Sequence, residues 1–364
     1  MAAREAEIRE IFRLQGDYCA QLDSPFTSRV CRLLSGRLDP SGAVGSAVFG
    51  WPGDAATAAD NVPLRLCGAL NHLALTGGDG ELAALYPPRS DPAGLDDDTL
   101  WRAVDGAMAR HGPAVIAFLA HAPQTNEVRR SVALIPAYHA IAARFGLPLS
   151  IRELGASAGL NLNAWQYGLE AGGVHLGPHD AMLTLKPEWR GEEPLPASVT
   201  VASATGCDLS PIDLSREGEA QRLLCYIWPD QLQRVALIRA AIEIARQTGT
   251  VPERADAIDW LERQLAAHRP GEALVIQHTV AWQYFPAEAK ARGEKLLADH
   301  GARASRAAPI ARLSMENDGG EPGACLHLTL WPGDVGSDGE RHDLGRVDFH
   351  GRWIDWRNPR FSAT

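Results

Sequence analysis

The sequence is short of lysine, of paired cysteines and of long apolar runs, and each shortage excludes a class of protein. Only three of its 364 residues are lysines, Lys186, Lys290 and Lys295, so few side chains could form a Schiff base. None of the six cysteines forms a CxxC pair or stands at zinc-ligand spacing from a histidine. We therefore expect no metal site, and free, mostly buried thiols.

Two further absences concern membranes and nucleic acids. No apolar run reaches the roughly 20 residues that span a bilayer, and the charged N-terminal segment lacks the apolar core of a secretion signal. Acidic residues outnumber basic ones, with a net charge of −10. An acidic surface repels phosphate backbones, so nucleic acid is not an expected partner. These features are typical of a soluble cytoplasmic protein, which is the expected localisation.

The pattern along the chain changes near residue 124. Residues 1–123 read as helices separated by Gly, Pro and Asp turns, and they predict an all-helical N-terminal domain. Residues 124–364 alternate short apolar runs with helical patterns, which predicts an α/β domain with a parallel sheet. The last two apolar runs are joined only by a short Gly/Asp loop, so they must pair as a C-terminal antiparallel hairpin.

The segment Ile151-Arg-Glu-Leu-Gly-Ala-Ser-Ala-Gly-Leu-Asn-Leu162 carries the most chemical information. Glu153 ends a predicted strand and is followed by Gly155, Ser157 and Gly159. Small residues in such a loop let a ligand approach bare backbone N–H groups. A dinucleotide-binding loop would need its third glycine at position 160, which is Leu160. The spacing E-x-G-x-S-x-G therefore favours a different ligand.

This motif resembles the first motif of class I S-adenosylmethionine-dependent methyltransferases, with serine in place of the middle glycine. Later segments extend the resemblance. The stretch of residues 199–211, which contains Gly206-Cys-Asp208, is similar to the second strand of that fold and its terminal acid. Arg254-Ala-Asp-Ala-Ile258 follows the long helix, where that family often has an acid followed by a small apolar residue. More broadly, the chain resembles a bacterial domain-of-unknown-function family in which segments like QTNEVRR, ELGASAGLNLN and DFHGRWIDW recur. The resemblance implies a Rossmann-like seven-stranded sheet, with an insertion at about 163–198.

The resemblance also implies a cofactor, S-adenosylmethionine, and the residues that would hold it. Asp208 would bind the ribose hydroxyls, Asp256 the adenine amino group, and Ala257 would line the ring. The full set of expected cofactor-binding residues is Glu153, Gly155, Ser157, Gly159, Asp208, Asp256, Ala257 and Gln277. Just upstream, Asn126, Arg129 and Arg130 form a polar group suited to the carboxylate of the cofactor's methionine part or to the substrate.

Three residues are candidates for catalysis. His278 stands at the predicted end of the fourth strand, where an imidazole could take a proton from the methyl acceptor. Tyr284 follows on the next loop, and His350 lies in a turn of the C-terminal strand region. The expected reaction is methyl transfer to a small molecule or a protein. Neither the acceptor nor the oligomeric state is readable from the sequence.

Two other functions fit the same residues. Ser157 adds a hydroxymethyl group where the cofactor would pass, which suits a binding or interaction scaffold without activity. Gly155-Ala-Ser-Ala-Gly159 also matches the G-x-S-x-G elbow of serine hydrolases, with Asp208 or Asp256 and His278 or His350 completing a triad. Glu153 and the later segment Gly206-Cys-Asp-Leu-Ser-Pro211 have no purpose in a hydrolase, and residues 1–145 lack the strands that normally precede the elbow.

Overall fold

The fold, analysed in a computed structural model, divides into two compact units. The structure describes residues 2–333, 336 and 338–361. One unit comprises residues 1–125 together with 216–239, and the other comprises 126–215 together with 240–364. The segment 216–239, which the sequence pattern assigns to the α/β domain, therefore groups with the helical residues.

The elements alternate in type only after residue 148. The helices are α1 (Ala2–Gln21), α2 (Pro25–Arg37), α3 (Ala43–Phe49), α4 (Val62–Thr76), α5 (Gly80–Leu85), α6 (Asp97–Leu119), α7 (Ser131–Phe145), α8 (Glu217–Cys225), α9 (Leu232–Thr248), α10 (Ala257–Ala266) and α11 (Ala287–Gly301). The strands are β1 (Leu149–Leu154), β2 (Gly168–Ala171), β3 (Val174–Leu176), β4 (Thr184–Leu185), β5 (Glu188–Gly191), β6 (Val201–Asp208), β7 (Glu253–Arg254), β8 (Ala273–Thr279), β9 (Ile310–Glu316), β10 (Ala324–Trp331), β11 (Glu340–Val347) and β12 (Trp353–Trp356).

The first unit is helical because its helices carry local start and stop signals around apolar faces. The Asn61 side chain accepts a hydrogen bond from the Leu64 N–H at the start of α4, and Gly77, with φ of 71°, ends that helix. Asp96 caps α6 through the Thr99 N–H. The run of three aspartates at 96–98 is thus a helix start. Leucines such as Leu66, Leu70 and Leu100 fill the core.

A large mixed sheet organises the second unit, in the order β5-β12-β11-β10-β9-β8-β1-β6-β7. The pairs along β7-β6-β1-β8-β9 are parallel, whereas β9 to β12 form an antiparallel meander. The expected antiparallel pairing of β10 with β11 is confirmed. The sheet has nine strands where seven are expected. The apolar run Leu344–Trp356 breaks into β11 and β12, and β5, from the predicted insertion, adds a parallel edge strand to β12.

The centre of this sheet positions the loop that follows β1. β1 and β8 are central strands of this sheet, with a strand on each side, and nearly all of their residues are buried. Gly146, with φ of 63°, ends α7 and turns the chain into β1. Within the predicted insertion, β2, β3 and β4 form a separate small sheet in the order β3-β2-β4. As a result β6 pairs directly with β1, and Asp208 ends the strand beside Glu153.

Candidate functional site

The carboxyl ends of the parallel strands bring the predicted site residues to one edge of the sheet. Glu153 lies opposite Gly206 of β6 and Gln277 of β8, and Asp208 lies opposite Arg254 of β7. Asp256 follows two residues later, at the start of α10. In open α/β sheets, ligands bind outside this edge. The topology therefore gathers the predicted acids where a ligand site is expected.

The loop after β1 has an unusual backbone at three positions. Gly155, Ser157 and Gly159 have φ values of 71°, 54° and 75°. Glycine adopts this left-handed region without cost, whereas a serine there is strained by about 1 kcal/mol. A Cβ on Gly155 would lie 2.6 Å from the Cβ of Ala281, so the loop also needs glycine for close approach to the turn after β8.

Asp208 holds the centre of this loop. One of its carboxylate oxygens accepts a hydrogen bond from the Ser157 N–H at 2.9 Å, and the other accepts from the Ser210 N–H at 2.8 Å. A carboxylate has about four acceptor sites, so capacity for further hydrogen bonds remains. The Ser157 hydroxyl itself is buried and forms no hydrogen bond with any residue that the structure describes.

Glu153 is buried in a polar pocket of its own. Desolvation raises the pKa of its carboxyl to about 8, against the opposing effects of the neighbouring Gln277 amide and the Arg130 guanidinium. Gln277 accepts a hydrogen bond from the Tyr138 hydroxyl. Within the described ranges, neither Glu153 Oε2 nor Gln277 Nε2 has a hydrogen-bond partner. The Gln277 amide is nevertheless close enough to the Glu153 carboxyl to oppose the rise of its pKa, so the two groups lie beside each other. Buried polar atoms without a well-formed hydrogen bond are uncommon, and such a pair is a candidate place for a polar ligand group or water.

Asp256 acts as a helix cap. Its Oδ1 accepts hydrogen bonds from the N–H groups of Ile258 and Asp259 at 2.9 and 3.1 Å. The side chain is exposed. Ala257, the first residue of α10, is partly exposed beside it. Capping accounts for one oxygen of Asp256, and the exposed carboxylate leaves the other accessible to a ligand.

The predicted polar group of Asn126, Arg129 and Arg130 lies beside the loop that follows β1. Asn126 Oδ1 accepts a hydrogen bond from the Leu160 N–H at 2.8 Å, which ties it to the residue after Gly159. Arg130 donates to the carbonyl of Thr279 at the end of β8 and to that of Phe349. Arg129 pairs with the buried Glu127 at 3.3 Å. Both arginines therefore have structural partners beside the loop.

His350 lies in the turn between β11 and β12, beside Glu127. Its Nδ1 is 3.6 Å from Glu127 Oε2. The same turn is held by Asp348, which accepts hydrogen bonds from the N–H groups of His350 and Arg352. Because Arg130 bonds to Phe349, this turn belongs to the same edge as the loop. The structure therefore places His350 beside the predicted polar group that contains Arg129 and Arg130.

His278 does not join them. Successive side chains of a strand point to opposite faces, and Gln277 occupies the face toward Tyr138. The His278 ring stacks on Trp282, its Nδ1 bonds to Glu316 at 2.7 Å, and its Nε2 accepts from Arg312 at 3.1 Å. Burial lowers the pKa of this fully buried imidazole, although Glu316 opposes the shift. Tyr284 is 74 % exposed, and its backbone N–H donates to the Ala281 carbonyl.

Glu316, at the end of β9, is an important residue that sequence reasoning missed. Its carboxylate accepts hydrogen bonds from His278 and from the N–H groups of Ala281, Trp282 and Gln283. It thereby fixes the turn after β8, where Val280 has φ of 53°. A β-branched residue in that region is strained and needs such support. The available signal was an acid ending an apolar strand run, as at Glu153.

The same edge has no evident metal chemistry. Across the described ranges, no group of three His, Cys, Asp or Glu side chains is placed to hold a metal ion. All six cysteines are free and buried, as expected. No described helix combines the length and apolar character that crossing a membrane requires. The site is thus built from carboxylates, amides, arginines and backbone N–H groups.

Comparison with known proteins identifies a family and no characterised relative. No curated protein and no solved structure matches the chain. Residues 9–356 match the family described as "Uncharacterized protein conserved in bacteria" (DUF2332). That match covers nearly the whole chain, including both units and every residue of the edge described above. The chain therefore belongs to the DUF2332 family of bacterial proteins.

Proposed function

We propose that this protein is an S-adenosylmethionine-dependent methyltransferase of the class I type. The observation that carries the proposal is the convergence of Glu153, Asp208 and Asp256 with a glycine loop at the carboxyl ends of neighbouring parallel strands. A cofactor of this kind carries an amino acid, a ribose and an adenine. The edge offers polar groups for each part.

The residues present fit such a cofactor. Glu153 Oε2 and Gln277 Nε2, buried without partners, offer hydrogen bonds at the inner end of the site. Asp208 has acceptor sites left for ribose hydroxyls, and Asp256 has an exposed oxygen for the adenine amino group. Arg129 and Arg130 add positive charge for the methionine carboxylate. The cofactor would supply an electrophilic methyl group on a sulfonium.

The protein's own contribution would be alignment, exclusion of water and removal of one proton. We assign the proton acceptor to His350, since its imidazole Nδ1 lies 3.6 Å from the buried Glu127 carboxylate, which would orient the ring. His278 suits this task less well, because Glu316 and Arg312 already bond to both ring nitrogens. The acceptor molecule is a small molecule or a protein.

The hydrolase alternative has one feature in its favour, the strained backbone of Ser157. A nucleophilic serine also needs an exposed hydroxyl within hydrogen-bond reach of a base. The Ser157 hydroxyl is buried and has no such contact within the described residues. The geometry therefore supports cofactor binding better than a serine nucleophile.

Calorimetric titration of the full-length protein with S-adenosylhomocysteine tests the proposal. We expect a dissociation constant in the range of about 1–100 μM, and at least about tenfold weaker binding for Asp256→Ala. Asp96→Ala is the matched control, because Asp96 caps α6 as Asp256 caps α10 and lies in the other unit. Both variants lose a cap, so only a role in binding separates them.

Three outcomes would contradict the proposal. A folded protein that gives no heat at millimolar ligand would indicate a scaffold without the cofactor. Equal affinity in wild type, Asp208→Ala and Asp256→Ala would place the ligand elsewhere. Labelling of Ser157 by a fluorophosphonate probe, abolished by Ser157→Ala, would establish the hydrolase.

A further inference from the structure

The helical unit contains an open apolar groove of about 470 Å³, separate from the sheet edge. It lies between α4, the segment 86–89 after α5, and the region from the end of α8 to the first half of α9. This volume is within the usual range for small-molecule sites, about 300–1,000 Å³. All of the lining residues belong to one unit.

The wall formed by α9 is an apolar stripe that ends in an arginine. Leu232, Val235, Ala236 and Arg239 line the groove, and their spacing of three, one and three residues places them on one helix face. Leu232 is 50 % exposed and Ala236 is also exposed. An exposed apolar stripe beside a concave surface is typical of a binding site rather than of ordinary solvated helix surface.

The floor of the groove offers little to a polar ligand. Ala74, Ala83 and Ile227 line it with aliphatic surface. The uncharged polar side chains of the lining are Asn71 and Tyr86: the Asn71 amide nitrogen already donates to the carbonyls of Cys225 and Ile227 at 3.0 Å each, and Tyr86 is buried. A ligand lying on this floor would therefore be apolar along its length.

The charged residues that line the groove are two arginines, Arg89 and Arg239. Both are exposed, and within the residues that the structure describes neither forms an ion pair or a side-chain hydrogen bond. Other arginines of the chain, such as Arg4, Arg13 and Arg292, have a carboxylate beside them. Guanidinium groups bind carboxylates in a bidentate manner and remain charged at any physiological pH.

We propose that this groove binds an acyl carboxylate, a fatty-acid-like molecule whose chain lies on the apolar floor and whose carboxylate meets Arg89 or Arg239. Apolar surface and unpaired positive charge together match the two halves of such an amphiphile. Binding would bury methylene groups in the groove and satisfy the unpaired guanidinium charge. This site does not depend on the proposed methyltransferase activity.

Calorimetric titration with octanoate, decanoate and dodecanoate, each as a monomer in solution, tests the proposal on the full-length protein. Each buried methylene group should tighten binding by about fourfold until the groove is filled. The double variant Arg89→Gln/Arg239→Gln should weaken dodecanoate binding at least about tenfold. Dodecanol should bind wild type and the double variant equally. Arg269→Gln, which removes an exposed arginine of the other unit, is the control and should leave binding unchanged.

A substitution that fills the groove with a large side chain provides an independent test. Ala236→Trp should abolish dodecanoate binding, whereas Ala266→Trp, an exposed position at the end of α10, should not. A titration to about 1 mM dodecanoate detects dissociation constants up to about 1 mM. The absence of binding by folded wild-type protein in that titration would overturn the proposal. So would unchanged binding in both groove variants. Concentration-dependent dimerisation lost in Ala236→Trp would assign the groove to a second copy, and vesicle binding lost there would assign it to a membrane.

Discussion

At the scale of single residues, two groups at the sheet edge are energetically costly. Ser157 combines a left-handed backbone with a buried hydroxyl that has no partner among the described residues, and Glu153 is a buried acid. Strain and unsatisfied polar groups persist at functional sites, where a ligand or a mechanism makes use of them. The backbone strain at Ser157 and the burial of the Glu153 carboxyl each lead to a prediction about the free energy of unfolding.

Ser157→Gly should be more stable than Ser157→Ala by about 1 kcal/mol. Both variants remove the hydroxyl, but only glycine adopts φ of 54° without strain. Urea denaturation of the two variants measures the difference in the free energy of unfolding. Equal stabilities would show that the backbone at residue 157 is not strained. If the site binds S-adenosylhomocysteine, the glycine variant should also bind it more tightly.

Glu153→Gln should change how stability depends on pH. The folded carboxyl keeps its proton up to about pH 8, because burial raises its pKa from an ordinary value of 4.5. Between these values the folded state binds more protons than the unfolded state, so wild-type stability falls as pH rises. The variant lacks this term, and relative to wild type it should gain a few kcal/mol between pH 5 and 8. Parallel stability curves for the two proteins would contradict the assignment.

At the scale of elements, the site depends on contact between two turns at the ends of β1 and β8. Gly155 belongs to one turn and Ala281 to the other. The second turn is fixed by Glu316, which accepts hydrogen bonds from three of its N–H groups. The loop is thus positioned from β9, two strands away from the strand that carries it.

Gly155→Ala should lower the free energy of unfolding by about 3 kcal/mol, the sum of backbone strain and overlap with Ala281. Adding Ala281→Gly removes the overlap and leaves the strain, so the double variant should recover about half of the loss. A double-mutant cycle measures the coupling. Additive effects would mean that the two turns do not touch as described.

Glu316→Gln should destabilise the protein by about 3 kcal/mol at pH 7, because four donors lose a charged acceptor. Burial alone would raise the pKa of Glu316, but hydrogen bonds from His278 and the turn outweigh it and lower that pKa. This stabilisation is present above the ordinary value of 4.5 and is lost as pH falls through the lowered folded pKa.

The matched control for that variant is Glu294→Gln. Glu294 pairs with Arg312 in the same cluster, but its carboxylate is 55 % exposed. An exposed pair contributes at most about 1 kcal/mol. Chemical denaturation of both variants across pH 3–7 would therefore give a large, pH-dependent loss for Glu316 and a small one for Glu294. Equal losses of stability in the two variants would show that Glu316 does not stabilise the turn after β8 as described.

At the scale of the whole molecule, local signals predicted more than long-range pairing did. Gly146 was readable as a helix end, and Asp208 was readable as an acid ending a strand, because both depend on nearby residues. The pairing of β5 with β12 could not be predicted from the sequence. About 160 residues separate these two strands, and the apolar pattern of a strand does not specify which other strand it pairs with. The sheet therefore has two more strands than the sequence predicted.

The candidate site shows the same difference between local signals, which the sequence reveals, and tertiary contacts, which it does not. Glu153, Ser157 and Asp208 were found from their spacing, and the structure brings them together. His278 was chosen from the same strand end but faces away from them. In a strand buried on both faces, the apolar pattern does not reveal which face a given side chain takes. Glu127 and Glu316 act through tertiary contacts, which spacing alone does not show.

The most direct test of the central claim is a crystal structure of the full-length protein with S-adenosylhomocysteine. The account predicts the ligand at the carboxyl edge of β1, β6 and β7, with its ribose hydroxyls bonded to Asp208 and its adenine beside Asp256 and Ala257. A ligand bound elsewhere, or an empty edge in crystals grown at saturating ligand, would contradict it.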